Sequence, residues 1–268
     1  MTTLHRVFLA VALGSLLCNP VVGRETETKP DEICQLLFET YIARPGKTGD
    51  STVMAASHII AERGRDTGFW GNVLRELRKG DSRNEIECVR ILGKMLAMDA
   101  SARDVIRRQK EAGDLVQQAA YVRLGPEVVS ELVGRGKNAD RFRMDHYAVA
   151  LARARVPEAA PLFLMILRDD KGRHFTPSAK YHAAVGLANL GDPKGFEWLI
   201  ANSDDSLPTV SNAWPPGVTN RNVNTCCTAA LRELSGDQTR STKLEWETWW
   251  GSVDRQTLPK RQVTLVDP

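Results

Sequence analysis

A stretch that repeats itself in register constrains this chain more than any other feature. His146-Tyr147-Ala148-Val149-Ala150-Leu151-Ala152 aligns with His182-Ala183-Ala184-Val185-Gly186-Leu187-Ala188, each pair 36 positions apart (182 − 146). The register continues without a gap, Pro157 matching Pro193, Phe163 matching Leu199 and Leu164 matching Ile200. Self-similarity at such a period marks units that cannot bury their apolar faces alone and must stack on neighbours. A weaker copy precedes it at Leu124-Gly125-Pro126 with Val128, Val129 and Leu132. Another follows, where Leu231, Leu234 and Gly236 echo Leu187, Leu190 and Gly191.

The punctuation of each unit is helical. Thr176-Pro177 ahead of Tyr181, Ala184, Leu187 and Leu190, closed by Gly191, supplies an N-cap, a proline at the first helical position and a glycine past the end. Asp192-Pro193 opens the next helix (Phe196, Leu199, Ile200) almost at once, so the two must fold back as a hairpin. Ser82 with Glu85 reads as a capping box before Ile86, Val89, Leu92 and Leu96. The same rules place helices near 31–43, 51–63, 69–79, 85–98, 102–111, 115–124, 127–134, 139–154, 160–168, 223–234 and 243–253. Pro161 sets the start of the 160–168 helix. Strand signals are scarce, so the fold class is all-α, a series of stacked antiparallel helix pairs. Trp246, Trp249 and Trp250 form one helical stripe, read as closing the far end of the core, with a carbohydrate platform as the alternative.

The run HAAVGLANLGDPKGFEWLI (182–200) resembles short bacterial HEAT-like repeats, a class also found in phycobilin lyase subunits. LRELSGDQ, followed by the three tryptophans, is similar to the last unit of exported bacterial HEAT-repeat proteins. The resemblance covers about residues 115–250 and extends in outline over 31–114. It implies a HEAT-like α-solenoid that binds a partner on its concave face. No particular ligand comes with the family.

Met1 to Arg6 is a short basic start, Val7 to Leu17 an apolar run, and Val21-Val22-Gly23 a set of small residues before charge returns: the layout of a secretory signal peptide. Leu17 stands where a lipoprotein signal wants a small residue before Cys18. The expected organisation is a signal peptide over 1–23, a linker over 24–30, the repeat domain over 31–254 and a C-terminal tail over 255–268. An exported protein of the periplasm or extracellular space follows. After signal cleavage no transmembrane segment is expected. The full chain carries a formal net charge of +3, which calls for no polyanionic partner, and export disfavours nucleic acid. Of the cysteines beyond the leader, Cys226 and Cys227 cannot pair comfortably on one helix. A bridge from Cys34 to Cys88 is open beside the reading that the thiols are core residues.

Motifs for chemistry are missing from the sequence. His58, His146, His174 and His182 show no HExxH or CxxC context, and His146 and His182 read as one structural slot used twice. Asp145 would be the nearest third ligand if the two converged on a metal. No GxSxG elbow occurs, and Gly46-Lys47-Thr48 lacks the leading glycine of a phosphate loop because Tyr41 stands there. We therefore expect no catalysis, no cofactor and no metal. The function expected is a non-catalytic scaffold for an unknown protein or peptide in the cell envelope. The alternatives are a bilin-lyase-like enzyme or subunit, or a binder of an anionic envelope polymer. Basic residues cluster at Arg103, Arg107, Arg108 and Lys110, and at Arg135, Lys137, Arg141 and Arg143, diluted by Asp104, Glu111, Asp140 and Asp145. Loops over 169–176 and 203–222 exceed what a bare repeat needs, the second holding Trp214-Pro215-Pro216-Gly217. The partner-binding residues expected from these loops are Arg173, His174, Trp214 and Arg221.

Overall fold

A computed structural model describes residues 30–43, 50–111, 124, 126–169, 174–204, 208–209, 221–255, 258 and 263. Among these the protein is all-helical apart from a two-residue antiparallel bridge, β1 (Pro208–Thr209) with β2 (Arg221–Asn222), Pro208 facing Asn222. The helices are α1 (Pro30–Leu37), which runs on as a π-turn over Phe38–Ile42, α2 (Asp50–Thr67), α3 (Trp70–Lys79) and α4 (Ser82–Glu111). They continue with α5 (Pro126–Asn138), α6 (Arg141–Ala154), α7 (Ala160–Arg168), α8 (Pro177–Asn189), α9 (Pro193–Ala201), α10 (Val223–Ser235) and α11 (Lys243–Ser252).

Local chemistry explains the boundaries. Asp140 caps α6 by accepting from the N–H groups of Phe142 and Arg143 at 2.9 Å each. Thr176, 36 residues on (176 − 140), caps α8 by accepting from Ala179 N–H at 3.0 Å. Gly191 and Gly236, at φ +80° and +75°, turn the chain after α8 and α10. α11 opens with a full capping box, Thr242 with Glu245.

Several sequence expectations change. Two helices, 85–98 and 102–111, are one helix of 30 residues. Nothing between Met98 and Ala102 breaks a helix, and Oδ2 of the buried Asp99 accepts from the distant Leu124 N–H at 3.0 Å. Ser82, expected as the cap, is itself the first residue of α4. The Asp81 carbonyl accepts the first helical N–H bonds, and the Glu85 side chain is used elsewhere. The expected helix 115–124 and the Gly46-Lys47-Thr48 turn lie outside the described residues, save for the non-helical Leu124. Cys34 and Cys88 are buried as free thiols, not a bridge. Burial pushes them up to about 11 and about 12.

α4 packs along α6, α6 along α8, and α8 along α10, while α3 lies on α4, α5 on α6, and both α7 and α9 on α8. Small residues set the contacts. A Cβ on Gly93 would stand 2.4 Å from the Ala150 methyl, and one on Gly186 2.5 Å from the Phe163 ring. One apolar cluster runs from Cys34 through Met95, Leu132 and Phe163 to Leu187. A second gathers Tyr181, Phe196, Leu231, Trp246 and Trp250. In it the Trp250 ring stacks on Phe196 at 5.1 Å. Among the described residues no helix is long and apolar enough to cross a membrane.

Candidate binding groove

An open groove of about 520 Å³ lies where the end of α3, the first turn of α4, α5 and the start of α6 converge. Its charged lining comes in linked groups. Glu131 on α5 accepts from Arg135 Nε at 2.6 Å, one turn away, and from Arg78 Nε of α3 at 3.1 Å. Partial burial pushes the Glu131 acid form up, but the bonds from Arg135 and Arg78 together hold its carboxyl below the usual range. Glu85, buried in the first turn of α4, accepts from Arg143 Nη1 at 2.9 Å and from the Tyr147 hydroxyl at 2.7 Å. Burial and then the Glu85 carboxylate raise the phenol well above its ordinary range, so Tyr147 stays a donor.

Charge-assisted bonds of this kind hold planar guanidiniums in fixed positions. Each guanidinium still has donors to spare. Gly134, exposed in the lining, adds no side chain to it, and a Cβ there would meet nothing within 4 Å. A glycine inside a helix costs about 1 kcal/mol relative to alanine, yet no neighbour demands this one. Beside Arg143, Phe142 is half exposed, with the Arg141 guanidinium 4.5 Å above its ring.

The groove uses only part of what the sequence suggested. Arg135 and Arg143 of the basic band line it, whereas the side chains of Arg103, Arg107, Arg108 and Lys110 lie outside the described residues. Arg173 and Trp214 also lie outside them, as does the Arg221 side chain, although the Arg221 backbone forms β2. His174 is exposed at φ +53°, its N–H donating to Asp169 Oδ1 at 3.2 Å, and is not part of the groove lining. Sequence reasoning missed Arg78, Glu85 and Glu131. Only the Glu131–Arg135 pair, at helical spacing, left a local signal.

The two repeat-slot histidines are core residues. His182 Nδ1–H donates to the Ser178 carbonyl at 2.9 Å, and burial, then Arg153, lower its pKa to about 3. Burial, then Arg90, lower that of His146 to about 4. Asp145 accepts from the Thr176 hydroxyl, and its burial raises its pKa to about 6. Among the described residues no three His, Cys, Asp or Glu side chains stand close enough together to hold a metal ion. Searches against known protein families, curated proteins and solved structures gave no match.

Proposed function

We propose that this chain is an exported, non-catalytic scaffold, a HEAT-like α-solenoid whose groove takes a peptide segment of a partner protein in the cell envelope or periplasm. The observation that carries the reading is one open groove lined by the Arg78–Glu131–Arg135 and Arg143–Glu85 groups together with the bare Gly134. Each guanidinium there is answered by a carboxylate. That balance favours a polypeptide with mixed polar side chains over an anionic polymer, for which unanswered cations would be the attraction. The half-exposed Phe142 offers an apolar anchor beside it. The repeat register and the row of packed inner helices support the solenoid, and the basic start with its apolar run supports export.

A photoreactive residue at Ser130, which lines the groove, tests this in native envelope fractions. The reading expects a discrete protein adduct that disappears when Gly134→Trp fills the groove. The same adduct with and without Gly134→Trp, or turnover of a small molecule by the purified chain, would contradict it.

A further inference from the structure

Asn189, in the last turn of α8, is buried, with 9% of its surface exposed. Its Nδ2–H donates to the Val263 carbonyl at 3.2 Å, and its Oδ1 accepts from the Val263 N–H at 2.7 Å. A residue that turns both its N–H and its carbonyl to one neighbour is held as in an antiparallel strand pair. One side-chain amide here stands in for the facing strand residue. The Val263 side chain is 4% exposed and belongs to the apolar cluster of Tyr181, Ala188, Phe196 and Trp246, against which Leu258 also packs. The site therefore reads a backbone through Asn189 and one aliphatic side chain through a pocket. Those are the two components of strand-type peptide recognition.

We propose that Asn189 and the apolar cluster beside it form a docking site for a peptide carrying a β-branched aliphatic residue, a site that the chain's own Val263 fills in cis. The bonds to Asn189 involve only backbone atoms of the occupant, so they hold any sequence that places a suitable side chain in the pocket. A tethered occupant competes at an effective concentration of order millimolar, so the site is masked against weaker peptides in trans. The site shares no lining residue with the groove at Arg135, and neither proposal depends on the other.

A fluorescent peptide with the sequence of residues 256–267 is titrated against the full-length chain, with circular dichroism and thermal melting as controls for folding. Val263→Asp, which displaces the tethered segment, is expected to bind it at least ten-fold more tightly than the wild type. Adding Asn189→Ala to that variant should reverse the gain at least ten-fold. Val263→Thr keeps the shape of the side chain, and it replaces Val263→Asp as the readout if that variant does not melt cooperatively. It should bind the peptide at least two-fold more tightly than the wild type. Wild-type affinity in the folded Val263 variants would overturn the proposal. A wild-type dimer that Val263→Asp converts to monomer would overturn it too, because the segment would then be exchanged between two copies.

Discussion

Ala159 and Gly195 occupy the same place in successive units, 36 residues apart (195 − 159), and the units close differently around them. At Gly195 a Cβ would stand 2.4 Å from the Ala188 nitrogen and 2.5 Å from the Ala184 carbonyl oxygen, so α9 lies directly on α8 as a hairpin. Ala159 instead ends a short 3-10 turn, Pro157–Ala159, and α7 lies chiefly along α8 and not along α6. The ring of Phe163 reaches Gly186 there, where the earlier unit has Ala150. Shared caps and prolines start the helices at matching positions. The smallest residues decide which helices touch.

The largest expected effect separates the two units. Gly195→Ala should destabilise the chain by about 3 kcal/mol, because the clash is with backbone and no rotamer relieves it. Ala159→Gly should cost no more than about 1 kcal/mol. Equal losses in chemical denaturation would remove the distinction.

Acid sharpens the comparison next. The pKa values of His146 and His182, ordinarily 6.5, fall to about 4 and about 3 in the fold. Their contribution to stability is complete above pH 6.5, declines as pH drops below that value, and is fully lost once pH has passed through the folded values. Asp145, raised from 3.8 to about 6, acts the other way, its contribution being full below its ordinary pKa and lost as pH rises through about 6. Between pH 6.5 and 5 each histidine should cost the fold about 2 kcal/mol. Unfolding free energies from denaturant titrations at these two pH values should therefore differ by about 2 kcal/mol less in His182→Gln than in the wild type. An unchanged pH dependence would mean that His182 is not held neutral by burial.

The caps differ by what lies behind them. Asp140→Ala removes a cap and an exposed ion pair with Arg143 Nε at 3.4 Å, and should cost about 1 kcal/mol. Thr176→Ala also takes the hydroxyl from the buried Asp145, and should cost about 2 kcal/mol or more by thermal denaturation.

The smallest effect has the opposite sign. Arg155 is left-handed at φ +50°, in the register position where the next unit has Gly191 at φ +80°. A non-glycine residue there is strained by about 1 kcal/mol, so Arg155→Gly should raise stability by up to about that amount, read as an increase in Tm.

What could be read from the sequence was local. Thr176-Pro177, Asp192-Pro193 and the glycines that end helices act within a turn of themselves, and they marked the start of α8 and α9 and, with Gly191 and Gly236, the ends of α8 and α10 within a residue or so. Thr242 and Glu245 carry the same legible signal. The sequence reading divided α4 between Met98 and Ala102, yet it is one helix, inside which Asp99 Oδ2 accepts a bond from Leu124, 25 residues away. The groove was hidden for the same reason. Arg78–Glu131, Arg143–Glu85 and Tyr147–Glu85 join residues 53, 58 and 62 apart, and no periodicity records such pairings. The Asn189–Val263 contact spans 74.

The central claim is that successive units stack through residues sized for one another, with Gly186 accommodating Phe163. A double-mutant cycle of Gly186→Ala and Phe163→Leu in chemical denaturation tests it most directly. The smaller side chain should make room for the added methyl, so the double variant should lose less stability than the two single losses combined, by about 1 kcal/mol or more. Losses that add to within about 0.3–0.5 kcal/mol would contradict the contact and, with it, the stacking of α7 on α8.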